Sequence, residues 1–180
     1  MKVILPLFLL IFITSCDLPC LIDNSHPPDE RTLINEVRNR TFAQLKMEKE
    51  LYPFGTGEGG PVGQIRMLAL SFRYYKEIDI EEARELLMAA GTSFLNNING
   101  NEQIRPYLKN DPSKPNNIEI RIFLKKPDGS KPDLDKLTVI SMISDILEYD
   151  IRSSETGRLT KIYEENFEEA AAKLNTVVGL

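Results

Sequence analysis

Between residues 79 and 125 the hydrophobic period changes from that of a helix to that of a strand, and this change restricts the fold more than any other feature. Asp79 stands where an N-cap belongs, with Glu82 three residues on, a capping-box pairing. Ile80, Ala83, Leu87, Ala90 and Phe94 then recur at spacings of three and four, and Gly100 follows as a terminator. After a polar loop over 101–114, Ile118, Ile120, Ile122 and Leu124 alternate with Glu119, Arg121, Phe123 and Lys125, the signature of a half-buried strand. A chain that carries both periods must stack helices against a sheet.

The flanking segments extend this pattern. Asp29 to about Leu51 reads as a first helix, opened by Pro27-Pro28 and the acidic pair Asp29-Glu30, with Leu33, Ile34, Val37, Thr41 and Leu45 as its apolar stripe. Gln64 to Tyr75 reads as a strand. Pro127-Asp128-Gly129 is turn chemistry, and Leu137–Ile143 and Ile146–Ile151 follow as two further strands. Tyr163, Phe167, Ala170 and Leu174 mark a last helix. The expected fold is α+β in the order α-β-α-β-β-β-α, with an antiparallel sheet of about four strands packed against helices.

The N-terminal end predicts an address. Met1-Lys2 supplies a positive charge, Val3 to Ile13 an apolar stretch, and Ile13-Thr14-Ser15-Cys16 a cut site after small residues, the parts of a secretory signal. Lys2 and Asp17 bracket fourteen residues, roughly 21 Å of helix against the roughly 30 Å of a bilayer core. Pro6 lies inside the stretch. A cleaved signal over residues 1–15 is therefore expected rather than a spanning helix. The four residues Ile13-Thr14-Ser15-Cys16 resemble the lipobox of bacterial lipoproteins. That resemblance implies a diacylglyceryl chain on the Cys16 thiol and cleavage after Ser15, so that Cys16 is the lipid attachment residue. Two or more acyl chains give stable anchoring where one does not. Residues 16–28 then form the lipidated cysteine and a proline-rich tether, reaching at most about 40 Å when extended, and residues 29–180 form a single α+β domain. Asp17 resembles an inner-membrane retention signal of enteric bacteria, a rule that does not extend to all phyla, so the choice between inner and outer membrane stays open.

Composition narrows the function classes. The chain carries 22 basic and 27 acidic side chains; without residues 1–15 the balance is 21 against 27, a formal charge of −6. That argues against a nucleic-acid partner or a polybasic membrane surface. With Cys16 acylated, Cys20 is an isolated thiol and disulfides cannot hold the fold. His26 is the one histidine and sits in the tether, which removes His/Cys zinc sites and Ser–His or Cys–His nucleophilic systems.

The glycine-rich segment with Gly55, Gly57, Gly59, Gly60 and Gly63 is the weak candidate for a ligand loop, because glycines let backbone amides approach an anion. It has no Lys, and a helix before it and a strand after it, so it lacks the order of a phosphate loop or a dinucleotide fingerprint; a flexible connector is the plainer expectation. Glu148 and Asp150 share a strand face near Asp145 and are the carboxylates a hydrolase could use, although a charged outer face explains them equally. Asp128, Asp133 and Asp135 lack calcium-loop spacing. Tyr74, Tyr75 and Tyr149 could line a sugar- or peptide-binding face, or simply pack the sheet. Glu164-Glu165 and Glu168-Glu169 read as the solvated side of the last helix.

The stretch Gly63 to Phe72 with Tyr74 to Leu87, together with Glu155-Thr-Gly157 and Tyr163-Glu-Glu165, resembles uncharacterised lipoproteins of chlamydia-like bacteria. The resemblance implies an extracytoplasmic, membrane-anchored place in the cell envelope and carries no activity, cofactor or site. The expectation is a non-catalytic binding or assembly module with an envelope protein partner. The competing readings are a small-ligand lipoprotein for peptide or glycan and a carboxylate-based hydrolase.

Overall fold

The computed structural model describes residues 29–178; the expected signal, Cys16, Cys20, His26 and the tether lie outside the described residues. The elements run α1 (Glu30–Lys49), β1 (Tyr52–Gly59), β2 (Met67–Tyr74), α2 (Ile80–Asn99), β3 (Ile118–Leu124), β4 (Leu137–Ile143), β5 (Ile146–Arg152), β6 (Leu159–Asn166) and α3 (Phe167–Val178). The α+β class stands, but the sheet has six strands rather than about four. It is also mixed rather than antiparallel.

Its spatial order is the chain order, β1 to β6, with every neighbouring pair antiparallel except β2 and β3. The exception follows from α2. The helix carries the chain back along the sheet, so β3 re-enters parallel to β2, as a helical crossover requires. Two strands account for the extra count. The glycine-rich segment is an edge strand, and residues 159–166, where the last helix is expected from about Tyr163, form the opposite edge. The order is therefore α-β-β-α-β-β-β-β-α.

Helix starts follow the readable caps. Asp79 accepts from the Glu82 amide at 2.9 Å while Glu82 returns a bond to the Asp79 amide at 3.3 Å, and Asp29 accepts from Thr32 at 2.7 Å. α3 is opened the same way one strand later: the Glu169 amide donates to Asn166 Oδ1 at 2.8 Å and the Asn166 amide to Glu169 Oε2 at 3.2 Å. Gly100 ends α2 at φ −79°, without the left-handed turn its identity suggests.

All three helices pack on one face of the sheet, with α2 between α1 and α3. The strand residues facing them are Leu68, Leu70, Phe72, Ile118, Ile120, Ile122, Ile140, Met142, Leu147 and Tyr149, all fully buried. Phe42 of α1 meets Phe72 edge to face at 5.3 Å, a preferred aromatic arrangement that fixes α1 over β2. The stripe residues expected for α1, and Ala83, Leu87, Ala90 and Phe94 of α2, are buried in this layer.

Candidate functional site

The strand pairing sets which side chains share the opposite, helix-free face. One row crosses all six strands: Tyr52, Arg73, Phe123, Val139, Asp150 and Lys161. The next is Gly55, Ser71, Arg121, Ser141, Glu148 and Glu164, and a third begins Gly57, Ala69, Glu119 and Ile143.

Gly55, Gly57 and Gly59 lie on a strand and not in a loop. They occupy the helix-free side of β1, opposite Ser71, Ala69 and Met67, while Thr56 and Glu58 face the helices. This edge of the sheet therefore presents bare backbone beside small side chains. Each glycine in a strand interior costs about 0.5–1 kcal/mol relative to alanine, and such positions mark places where another backbone or a ligand comes close. From behind, Arg38 of α1 donates to the Gly57 carbonyl at 2.6 Å and pairs with Glu58 at 3.2 Å, occupying a main-chain acceptor of this edge strand. Gly60 is a different case. At φ +143° it makes the turn out of β1, and an added Cβ would lie 2.0 Å from the Gln64 carbonyl oxygen.

Beside the strip stands an aromatic cluster. Phe54, half exposed, meets Phe123 edge to face at 5.2 Å, with the Arg73 guanidinium 4.2 Å above its ring. Tyr52 meets Tyr75 at 5.3 Å. Tyr75 thus joins this surface. Tyr74 faces the helices, and Tyr149 is fully buried, so the three tyrosines do not line one face.

Charge divides across the face. Arg73 and Arg121 lie on β2 and β3, while Glu148, Asp150 and Glu164 gather on β5 and β6, where Lys161 pairs with Glu148 at 3.1 Å and also with Glu164. Partial burial raises the Asp150 carboxyl above its ordinary value and the Glu148 charge adds to this, with Lys161 and Arg121 opposing. Asp150→Asn is therefore expected to stabilise the fold at neutral pH. The gain should fade in acid, because the raised carboxyl penalises folding progressively as pH rises above its unfolded value and fully above its folded one, and not below both. Urea unfolding at pH 7 and pH 3 checks this; an equal or larger gain at pH 3 contradicts it. Asp145 sits in the β4–β5 turn at φ +67°. Asp128 accepts from the Ser130 amide, Asp133 pairs with Lys126, and Asp135 accepts from the Ser154 amide, so these three serve loops.

Sequence reasoning missed the most densely bonded side chain. Glu165, expected on the solvated side of a helix, lies on β6 facing the helices and is 3% exposed. Its Oε1 accepts from Arg84 Nε at 2.6 Å and Tyr149 Oη at 2.7 Å. Its Oε2 accepts from Lys173 Nζ at 2.6 Å and Tyr163 Oη at 3.4 Å. Burial alone would raise this carboxyl, but the bonds from Lys173, Tyr149 and Arg84 outweigh it and hold it below its ordinary value. The Tyr149 hydroxyl is driven far above its own ordinary value by burial and then by the adjoining carboxylate. One carboxylate ties α2, β5, β6 and α3 together, and at neutral pH it is an acceptor with no proton to give.

No protein-family model, curated protein or solved structure matches this chain.

Proposed function

We propose that the chain is a lipid-anchored module of the bacterial cell envelope that docks a protein partner on its helix-free sheet face and catalyses no reaction. The observation that carries this is the alternation of glycine along β1, which empties the outward side of an edge strand and leaves backbone accessible beside Ala69 and Ser71. Phe54 and Phe123 offer apolar anchors next to that strip, the kind of residue enriched at interface centres. Arg73 and Arg121 suit a partner with acidic groups opposite them. The tether expected over residues 16–28 and the lipid expected on Cys16 would hold this face within reach of other envelope proteins.

A photo-crosslinking residue at Ser71 or Phe123, compared with Glu36 or Arg40 on the exposed side of α1, tests the docking face in native membranes. A discrete crosslinked species is expected from the face positions alone; the same pattern from α1 would sink the idea. Gly55→Ala adds a second signature. A Cβ there makes only ordinary contact with Ser71, so folding should gain about 0.5–1 kcal/mol while crosslinking weakens. Gain of stability with unchanged crosslinking would leave the strip without a binding role. Cys16→Ala should shift the protein from the membrane to the soluble fraction, and membrane retention of that variant would contradict the anchor.

A further inference from the structure

The cluster around Glu165 opens on one side. Arg84 is 7% exposed and spends Nε on the carboxylate. Its two terminal nitrogens take no partner among the described residues, yet neither is a sealed, unsatisfied atom, and Arg84 lines a groove of about 700 Å³ between the start of α2, β6 and α3. Small-ligand sites run from about 300 to 1,000 Å³. Across the carboxylate, Lys173 Nζ stands 2.6 Å from both Glu165 Oε2 and Tyr163 Oη. The floor thus holds two cations against one anion. The rim differs in sign: Glu81 and Glu85, both exposed, lie on the same side of α2 as Arg84. Half-buried Ile80, Leu174 and the Tyr163 ring line the space between.

We propose that this groove binds a small zwitterion of the amino-acid class, a free amino acid or a short peptide. Its carboxylate meets the terminal nitrogens of Arg84 and Lys173, its ammonium meets Glu81 and Glu85, and its apolar body rests on Ile80, Tyr163 and Leu174. A guanidinium fork held by packing and by a buried carboxylate is preorganised for a second, incoming carboxylate. A simple anion would have to pass the two rim glutamates, and a simple cation would meet Arg84 and Lys173. Only a molecule with both charges, separated by an apolar part, satisfies floor and rim together. The groove lies on the helical side of the sheet, so this site stands or falls independently of the docking face.

The test is an NMR titration of isotope-labelled chain with leucine, leucyl-leucine, its C-terminal amide and its N-acetyl form, each to about 10 mM, well beyond a millimolar Kd. Saturable shifts are expected at the Arg84 Nε–H and at the amides of Ile80–Glu85. Removing either charge from the dipeptide should weaken binding about tenfold or more, as the loss of a charge-assisted pair implies. Tighter binding of leucine assigns a free amino acid, and tighter binding of the dipeptide assigns a peptide. Arg84→Lys keeps a cation beside Glu165 but loses the fork. Lys173→Met, at a half-exposed position, leaves Glu165 its bonds from Arg84 and Tyr149, and amide shifts unchanged away from the groove show that it is folded; both should lower affinity by a similar factor. Absence of saturable shifts from leucine and leucyl-leucine overturns the site. So does equal binding of the amide or acetyl form, or an unchanged affinity in Lys173→Met.

Discussion

Glu165→Gln is expected to lower the unfolding free energy by about 3–5 kcal/mol, the penalty for stranding one partner of a buried ion pair, read from urea unfolding at pH 7. Glutamine keeps the shape of the side chain but presents an amide where Arg84 Nε and Lys173 Nζ now find a carboxylate at 2.6 Å each. Set against total stabilities of about 5–15 kcal/mol for domains, such a loss leaves the fold marginal. The pH dependence has a definite sign. The native carboxyl is depressed, so its contribution is complete above the ordinary glutamate value of 4.5 and is lost as pH falls through the lower native value. The gap between wild type and Glu165→Gln should therefore close in acid. Replacing Arg84 and Glu165 together, Arg84→Met with Glu165→Leu, should recover part of the stability, because no buried charge is left to strand and half-exposed Lys173 can turn to solvent; the buried Tyr149 hydroxyl, left without its acceptor, holds back the rest. A gap that persists undiminished at pH 2 would show that shape, not charge, holds this junction.

The position of Glu165 also explains why part of the fold is hard to read. Tyr163 falls at helical spacing from Phe167, Ala170 and Leu174, so the stripe of α3 continues backwards into a strand without a visible break. Within β6 the alternation that would betray the strand is interrupted. Tyr149 opposes Tyr163 and Asp150 opposes Lys161, leaving Ile162 as an extra, half-exposed residue that shifts the pattern by one. The one local signal for the true helix start is Asn166 with Glu169 three residues on, a pair that forms reciprocal bonds. β1 was concealed differently. Its outward positions are glycines, which have no strand preference of their own, so a period of two written in missing side chains reads as a loop. By contrast, α1, α2 and β3 are legible because burial on one face forces a clean period, and β4 and β5 because two apolar-rich runs flank a short turn. The parallel joint between β2 and β3 depends on where α2 delivers the chain, which no local pattern encodes. The candidate sites divide in the same way. The glycines stand out in the sequence but read locally as a loop, while Arg84, Lys173 and Glu165 are separated by up to 89 positions and meet only through the sheet.

The second large effect is expected at Gly60→Ala, at about 2–4 kcal/mol of lost stability, towards the upper end for single substitutions. Two penalties combine there. A φ of +143° lies where side-chain-bearing residues are rarely found, and the new Cβ would sit 2.0 Å from the Gln64 carbonyl oxygen, a backbone atom that cannot rotate aside. Gly63 separates the two. It also has a positive φ, +80°, but nothing lies within 4 Å of its added Cβ, so Gly63→Ala should lose only the conformational part, about 1–2 kcal/mol. If the two variants melt alike, the collision with Gln64 is not the cause. The turn matters beyond stability, because the Arg66 amide bonds to the Gly59 carbonyl at 2.8 Å and the Gly63 amide to Glu30 Oε2 at 3.1 Å, locking the hairpin end to the start of α1. Forcing residue 60 out of this geometry should loosen β1 from β2 first, since β1 is an edge strand with one neighbour. Hydrogen exchange in Gly60→Ala should then rise along Tyr52–Gly59 while β3 to β5 stay protected. Crosslinking from Ser71 should fall with it, because the bare strip exists only while β1 is held in register beside Ala69 and Ser71.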